Sequence, residues 1–336
     1  CIMYSVIGIT LNSLLLYLIK RYSNATLGNY KYLLAIFALF DIFLSSIHGL
    51  CNPIQVVFLV KNTFAAALYA PWQSHVSIFE LVHNSRDTFF QELTSAYLAF
   101  FTVPFALMNI HFLFRYWSVA NPTRVALFSQ RRFIALISLY PVAEFIAWYL
   151  LAWAIKVEPD HLCLDEIKAK LLDTHNDTIE EGWLAMDHWR DGELNVYVVK
   201  VVFFTMIIIF GSFSSALTLA ALTYRHILAA TTLSAKHRTL QFTLLVAVCA
   251  QTFVPLICVY IPYFMCLASP FLSLSGYGMI DHFSLLLSIF PGWDAAVIIL
   301  LIRDYRIGLL KMLGLWREKT ILIRNTQFTS CVISSV

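Results

Sequence analysis

Residues 196–224 read VYVVKVVFFTMIIIFGSFSSALTLAALTY, a run whose single charged residue is Lys200. A helix of about 20 apolar residues is long enough to cross the roughly 30 Å hydrocarbon core of a bilayer. Over the whole chain 60% of the residues are hydrophobic and 13% are charged, whereas about a quarter of an ordinary soluble domain is charged. The composition therefore predicts a protein whose main solvent is the membrane.

Six further segments on either side of this run have a similar length and character. Together the seven segments predict an all-α membrane protein, a bundle of seven transmembrane helices. In chain order the predicted spans are Ile2–Ile19, Tyr32–Phe58, Leu93–Phe114, Phe133–Ile155, Val196–Tyr224, Leu240–Leu267 and His282–Ile302.

Two segments need a choice between a span and another role. Phe64–Val82 is moderately apolar, but it carries Gln73, His75 and Glu80, so we assign it to a long loop. The first span has no basic residues before it and no small-residue cleavage site, which favours a span over a signal peptide. Because the chain begins at Cys1 and is apolar from the next residue, we expect a short native N-terminal segment to precede it.

The basic residues are distributed unevenly between the two ends of the predicted bundle. Sixteen of the 23 lysines and arginines fall at one end, which we call the basic end. They are Lys20, Arg21, Lys31, Arg115, Arg124, Arg131, Arg132, Arg225, Lys236, Arg238, Arg303, Arg306, Lys311, Arg317, Lys319 and Arg324. Since lysine and arginine accumulate in cytoplasmic loops, we expect the N-terminus outside the cell and the C-terminus inside it.

The longest loop at the other end, Lys156–Asn195, is acidic. It contains eleven aspartates and glutamates, and it contains Asn176 in an Asn-Asp-Thr glycosylation sequence, which fits an extracellular loop. Cys163 in the same loop could pair with Cys51 or Cys266, and the sequence leaves open whether it forms a disulfide.

Basic and apolar residues are interleaved after the last predicted span. Residues 303–316 read RDYRIGLLKMLGLW, a pattern typical of a short amphipathic helix on the inner leaflet, where basic side chains meet anionic lipid. We therefore expect a seven-transmembrane domain over residues 1–306 and a cytoplasmic tail over residues 307–336 that contains this helix.

Three polar residues, Asn12, Asp41 and Asp294, lie at a similar depth in the predicted bundle, and we call them the polar layer. Asp41 is ten residues from Lys31, about 15 Å along a helix, and the other two are each eight residues, about 12 Å, from the basic end. An ionisable side chain inside hydrocarbon costs several kcal/mol. The two carboxylates could form a water-linked switch that binds sodium at Asp41, or each could stay protonated and hydrogen-bond to a nearby carbonyl or hydroxyl. We expect Glu144 in span four to stay protonated and to hydrogen-bond to a nearby carbonyl or hydroxyl.

The end of span three reads His111-Phe112-Leu113-Phe114-Arg115-Tyr116, and Pro122 follows in the next loop. An arginine at the basic end of a helix could clamp span six in one state and bind a partner protein in another. It could equally be a topology anchor whose side chain reaches the lipid head groups.

Several motifs along the chain carry a family resemblance. Span two opens with Leu27-Gly28-Asn29-Tyr30-Lys31-Tyr32, and span three contains Ser95-Ala96-Tyr97 before the motif at Arg115. Span six contains Gln251-Thr252 and Pro255, and span seven runs from Phe290-Pro291-Gly292-Trp293-Asp294 to Ile302-Arg303-Asp304-Tyr305-Arg306. This colinear set resembles the nematode serpentine chemoreceptors of class r, the Str family, with the Srj class as a close alternative.

The resemblance implies a G protein-coupled odorant receptor in the ciliary membrane of a chemosensory neuron. Its expected partners are a small-molecule odorant, a heterotrimeric G protein and membrane lipids. Arg115 and Tyr116 would take the place of the rhodopsin-like DRY motif, with His111 upstream and Pro122 downstream, and Arg303 and Arg306 would join the same coupling surface.

Two features depart from the pattern that the resemblance implies. Asp294 would stand near the place of the NPxxY motif, but Ala295 follows it where the family often has proline, which would leave span seven straighter. The outer end of span three lacks the cysteine of the usual rhodopsin-like disulfide, which would leave the outer loop less constrained.

Aromatic residues in the halves of the spans away from the basic end predict a ligand pocket. The candidates are Tyr97, Phe101, Phe105, Phe203, Phe204, Tyr260, Tyr263 and His282. Such a pocket would suit a small volatile molecule, although each ring alone could instead pack between helices or face lipid. Pro255 and Pro262 could kink span six and give it a hinge.

Other function classes receive less support. A ligand-gated ion channel or a transporter is the alternative, with Asp41, Glu144 and Asp294 lining its path. No group of residues has the pattern of a catalytic, cofactor or metal site, so we expect no enzyme activity and no cofactor. The net charge of +3 and the lack of basic runs give no reason to expect a nucleic-acid partner.

Overall fold

The structure is a computed structural model that describes most of the helical bundle. The described residues are 2–23, 27–51, 53–58, 63–68, 83–154, 169, 184–190, 192–230, 234–268, 270–271 and 283–315. Asn176, Cys163, His282 and the tail after residue 315 lie outside this set.

Helices dominate the described residues, and we number the spans one to seven in chain order. They are Ile2–Tyr22 (one), Tyr30–Cys51 (two), His83–Phe100 with Val103–Ala120 (three), Arg131–Ala154 (four), Val196–Ala229 (five), Ala235–Pro255 with Leu256–Tyr260 and Ile261–Ala268 (six) and Phe283–Leu301 (seven). The short helix Pro122–Val125 and the 3-10 turn Ala126–Ser129 connect spans three and four, and a surface helix, Arg303–Met312, follows span seven.

The predicted seven-helix bundle is confirmed. Six helices among the described residues are each long and apolar enough to cross a membrane. The seventh is counted when Leu285–Leu301 is taken with Arg303–Met312, which bends away from it by 94°. A right-angle turn of this kind is expected where a chain leaves the bilayer and continues along its surface.

The predicted end of span two at Phe58 is wrong. The helix ends at Cys51, and Pro53–Phe58 forms a strand instead. The reason is Pro53, because proline has no N–H to donate and its ring clashes with the preceding helical turn. An apolar composition alone could not distinguish this strand from one more turn of helix.

Strands from two loops cover the bundle at the end opposite the basic one. Pro53–Phe58 (β1) pairs antiparallel with Thr63–Leu68 (β2), and β2 pairs antiparallel with Leu184–Asp187 (β3) from the acidic loop. Trp189–Arg190 (β4) and Glu193–Leu194 (β5) form a second, two-stranded sheet. The segment Phe64–Val82, which we assign to a loop, thus contains a strand over its described part, residues 64–68.

Span three is broken into two helices inside the membrane. Its first helix ends at Phe100 and its second begins at Val103, with Pro104 in the first turn of the second helix. Because proline cannot donate, the usual hydrogen-bond ladder is interrupted there, and the Thr102 hydroxyl donates to the Ala99 carbonyl at 2.8 Å. The predicted continuous helix Leu93–Phe114 missed this break and both ends of the span.

Span six contains a second irregularity. A π-helical turn, Leu256–Tyr260, follows Pro255 directly and separates the two α-helical parts of the span. A π-helical turn widens the helix locally and is common at functional sites. The turn directly follows Pro255, one of the two prolines from which a hinge is expected, and the hinge itself stays a prediction.

The surface helix Arg303–Met312 packs on the end of span one. Gly308 lies so close to Tyr22 that a Cβ atom at residue 308 would approach Cδ2 of the tyrosine ring to 2.7 Å. Burial raises the pKa of the Tyr305 hydroxyl to about 12, and this hydroxyl lies 2.9 Å from the Ser23 hydroxyl. The predicted domain boundary after residue 306 falls inside this helix.

Spans one, two and seven come together at two glycines. A Cβ atom on Gly8 would lie 2.6 Å from Ser45 Oγ, and one on Gly292 would lie 3.6 Å from the Gly8 Cα atom. Small residues at such positions let helix backbones approach closely, which is a main source of helix association in a membrane.

We predict that Gly8→Leu weakens the bundle. The added side chain has no space between spans one, two and seven, and overpacking of this kind costs about 1–3 kcal/mol. The measurement is the Tm of the detergent-solubilised protein. Gly211→Leu is the matched control, since nothing lies within 4 Å of a Cβ atom there; equal Tm values for the two variants would contradict the close packing.

Candidate functional site

An aromatic cavity lies where the break in span three faces the π-helical turn of span six. The empty space is about 400 Å³. Its walls are Tyr97, Leu98, Phe101, Thr102 and Phe105 of span three, Trp148 of span four, Ile209 of span five, Val259, Tyr260 and Tyr263 of span six, and Leu287 of span seven. Five spans therefore contribute to one cavity.

The structure brings five of the eight predicted pocket residues into this cavity. They are Tyr97, Phe101, Phe105, Tyr260 and Tyr263. The rings of Phe105 and Tyr260 lie 4.0 Å apart between centroids, so spans three and six touch directly at the cavity wall. His282 lies outside the described residues, and its position is not assigned.

Phe203 and Phe204 are not part of this cavity, which corrects the sequence-based prediction. Their side chains are 62% and 57% exposed on the outer face of span five. The inward face of this helix carries Thr205 and Ile209, and side chains one or two positions away on a helix point in other directions. Span five is apolar on every side, so its sequence did not indicate which face is buried.

Polar groups in the cavity wall already have partners. The Tyr97 hydroxyl lies 2.7 Å from His48 Nδ1, and the Thr102 hydroxyl donates to a backbone carbonyl. Among the residues that the structure describes, no Asp, Glu, Lys or Arg lines the cavity. A charged ligand would therefore find no counter-ion there, whereas a neutral apolar molecule could pack against the rings.

A polar network that sequence reasoning missed lies next to the cavity. The Asn109 amide donates to Ser212 Oγ at 2.9 Å and to the Tyr140 hydroxyl at 3.3 Å, and it accepts from Ser215 Oγ at 2.5 Å. These bonds connect spans three, four and five. Asn109 follows the cavity residue Phe105 by one helical turn, but nothing in the local pattern set it apart from other buried polar residues.

Glu144 is less isolated than its sequence context suggested. Its carboxylate accepts a hydrogen bond from Trp148 Nε1 at 3.2 Å, and Trp148 is a wall residue of the aromatic cavity. The partner is thus an indole on the same helix, not the backbone carbonyl or hydroxyl that was expected.

The polar layer encloses a second, smaller space. Asn12, Asp41 and Asp294 line this narrow space together with Gln251 and apolar residues, and it has no room for a water-sized sphere. The Asn12 amide donates to the Pro291 carbonyl at 2.8 Å and so links spans one and seven. Sequence reasoning had not included Gln251, which brings span six into the layer.

Five side-chain oxygens in this layer have no hydrogen-bond partner among the described residues. They are both carboxylate oxygens of Asp41, both of Asp294, and Oδ1 of Asn12. The two aspartates are each 1% exposed, and no Lys, Arg or His in the described part of the chain lines the space. Buried polar atoms normally have partners, so this arrangement calls for protons on the carboxyl groups or for a bound cation.

Arg115 is folded into the bundle at its basic end. Its side chain is 3% exposed, and its guanidinium carbon lies 3.6 Å from the centroid of the Tyr30 ring. Arg115 Nη1 donates to Gln241 Oε1 of span six at 3.3 Å. Spans three and six therefore contact each other through the Gln241 amide, and the clamp role of Arg115 stays a prediction.

The other predicted coupling residues differ in how deeply they are buried. His111 is buried, with Nδ1 at 3.3 Å from the Tyr30 hydroxyl, and Tyr116 is half-buried against His226 of span five. Pro122 and Arg303 are exposed, as is Arg306, which donates to the Leu300 carbonyl at 2.9 Å. Tyr30 and Gln241 were missed because a tyrosine and a glutamine near helix ends carry no signal of their own.

The chain matches one family model over nearly its whole length. The family is described as serpentine type 7TM GPCR chemoreceptor Str, and the match covers residues 2–310.

Curated nematode proteins are similar over a comparable range. Serpentine receptor class r-10 of Caenorhabditis briggsae is 24% identical over 325 residues, which is 92% of this chain and 88% of the relative. Serpentine receptor class J-38 of Caenorhabditis elegans is 24% identical over 301 residues, which is 88% of this chain and 86% of the relative. G-protein coupled receptor str-33 of the same species is 22% identical over 314 residues, which is 90% of this chain and 86% of the relative. This multi-pass membrane protein therefore belongs to the Str family of serpentine seven-transmembrane chemoreceptors.

Proposed function

We propose that this protein is an odorant receptor that binds a small neutral molecule in the aromatic cavity and activates a heterotrimeric G protein at its basic end. One observation carries the proposal: spans three and six both line the cavity and also contact each other at Arg115 and Gln241. A ligand that changes the packing of these two helices at the cavity can therefore shift their contact at the basic end.

The chemistry of the cavity supports a neutral ligand. Six of its eleven wall residues are aromatic, and aromatic, mostly apolar walls are typical of sites for small apolar ligands. Stacking and dispersion against the rings would supply most of the affinity. A small volatile molecule, with few polar groups, fits this environment.

Span six provides a mechanical link between the two sites. Tyr260 ends the π-helical turn and also lines the cavity, and Gln241 lies in the half of the helix on the other side of the turn. A turn with the wider π geometry can change its hydrogen bonding more easily than a regular helix. Ligand contact at Tyr260 would therefore bias the position of the basic end of span six.

The coupling surface would lie in the cytoplasm and would be formed by the loops at the basic end. It would include Arg115 once this residue is released, the loop from Pro122 to Arg132, the loop from Arg225 to Arg238, and Arg303 with Arg306. Placing this end inside the cell follows from the accumulation of lysine and arginine in cytoplasmic loops. A chemosensory role would place the receptor in the ciliary membrane of a sensory neuron.

The polar layer would act as a switch element between the cavity and the coupling surface. Five unpaired oxygens and the absence of a basic neighbour among the lining residues favour a bound cation, and sodium accepts oxygen ligands of this kind. The site would hold the cation at Asp41, with Asp294 and the Asn12 carbonyl oxygen as further ligands.

We predict that Phe105→Ala raises the ligand concentration needed for half-maximal response by about tenfold, because removal of a ring from the cavity costs more than 1 kcal/mol of contacts. The measurement is G protein activation in heterologous cells that are screened with an odorant panel. Phe204→Ala is the control, since its ring is exposed on the outer face of span five, and surface expression is matched.

Two outcomes would oppose this assignment. An equal loss of sensitivity in both phenylalanine variants would remove the cavity as the binding site. Ligand-dependent currents in cells without functional G proteins would favour the ion-channel alternative, in which the acids of the polar layer line the path.

We predict that an epitope tag after Val336 is stained only after the cells are made permeable. The cytoplasmic location of the basic end requires this result. A tag at the N-terminus should be stained on intact cells and serves as the control. Staining of the C-terminal tag on intact cells would contradict the orientation and, with it, the coupling surface.

We predict that sodium chloride raises the Tm of the purified receptor above its value in choline chloride at equal ionic strength, because a ligand that binds the folded state stabilises it. Asp41→Asn should abolish the difference between the two salts. Glu144→Gln should retain it, since Glu144 bonds to Trp148 outside the polar layer. The same Tm for the wild-type receptor in both salts would mean that protons keep the two aspartates neutral.

A further inference from the structure

Among the described residues, the contacts that hold the Arg115 side chain in place include no carboxylate. The residue before it is Phe114, and its structural contacts are a tyrosine ring, a phenylalanine ring and the Gln241 amide. Its Nε atom has no hydrogen-bond partner. A buried guanidinium normally pairs with an acid, so the contact with Tyr30 carries an unusual share of the restraint.

Tyr30 is placed for this contact by the turn before span two. Gly28 has φ +52°, a conformation that glycine adopts without strain. The Asn29 amide then donates to Ser129 Oγ at 2.5 Å, in the connection between spans three and four. The turn is thereby tied to the connection that follows the helix of Arg115.

The Tyr30 side chain contacts span three through both its ring and its hydroxyl. Its ring face lies against the Arg115 guanidinium at 3.6 Å, the geometry of a cation–π interaction. Its hydroxyl lies 3.3 Å from His111 Nδ1, one helical turn away. The side chain is fully buried, so water does not weaken either contact.

We propose that Tyr30 is the positioning residue of Arg115, whose guanidinium it holds against its ring and next to Gln241 in the resting receptor. Among the described residues the restraint is made with uncharged groups, and activation consists of moving Arg115 off the ring. The inference rests on the proposed G protein coupling, and it adds the residue that keeps the coupling arginine inside the bundle. It also gives the Leu27-Gly28-Asn29-Tyr30 motif a physical role.

Substitutions at residue 30 separate the ring from the hydroxyl. Tyr30→Leu removes the π face and should raise ligand-independent G protein activation about fivefold, the factor expected when one cation–π contact is lost from one of two states. Tyr30→Phe keeps the ring and should restore basal activity to near the wild-type level. Tyr32→Leu is the matched control, because Tyr32 lies two residues away with its side chain 61% exposed.

Substitutions at residue 241 should act in opposite directions. Gln241→Leu removes the amide and should raise basal activation, whereas Gln241→Glu places a carboxylate against Arg115 and should lower it. The glutamate variant should also move the dose–response curve to higher ligand concentration. General destabilisation cannot produce opposite signs at one position, so this pair excludes a merely structural role.

Hydrogen–deuterium exchange of residues 236–243 provides a readout that needs no G protein. Exchange there should be faster in Tyr30→Leu and Gln241→Leu, and slower in Gln241→Glu, than in the wild-type receptor. Wild-type exchange in Tyr30→Leu, or changes of the same sign in both residue-241 variants, would overturn the inference. If Tyr30→Leu does not fold, Tyr30→Met, which also lacks a π face, is measured in its place.

The exchange measurement also separates this inference from the proposed function. Changes of exchange in the expected directions, without G protein activation by any variant or ligand, would refute the proposed coupling and leave the restraint by Tyr30 intact. If ligand activates the G protein but Tyr30→Leu leaves basal activation unchanged, the proposed coupling stands and the restraint by Tyr30 is refuted.

Discussion

The absence of water from the hydrocarbon core controls this structure, because every polar group inside the bundle must be satisfied by the protein or by something that it binds. The consequences are visible at three depths. Asn109 bonds to spans four and five beside the aromatic cavity, the aspartates of the polar layer have no partner among the described residues, and Arg115 rests on the Tyr30 ring. The contacts of Asn109 and Arg115 hold helices together. The aspartates of the polar layer are the place where a cation or a proton is expected.

The same requirement explains why two irregular helices lie at the cavity. A break in a transmembrane helix frees backbone groups, so it is tolerated where side chains or neighbouring helices can bond to them. Span three meets this condition with the Thr102 hydroxyl, and span six with a π-helical turn after Pro255. Because both irregular segments face the same space, the cavity is bordered by the parts of the bundle that can rearrange most easily.

Several elements of this fold could be predicted from the sequence. The number of spans, the uneven distribution of basic residues and the surface helix after span seven all follow from hydrophobic length and charge, which act locally along the chain. The break at Phe101–Thr102, the strand at Pro53–Phe58 and the exposed position of Phe203 could not be predicted in this way. When a helix is apolar on all sides, its lipid-facing and cavity-facing side chains have the same composition. The periodicity of hydrophobic residues therefore does not distinguish the two faces.

The sequence by itself determined the membrane class, the seven spans, the three residues of the polar layer and the family, since each depends on residue type and order. Only the tertiary structure showed that five spans meet at one aromatic cavity, that Gln251 joins the polar layer, and that Tyr30 and Gln241 surround Arg115. The physical reason is that these contacts join residues far apart in the chain, and the rotation of each helix about its own axis is set by packing against its neighbours.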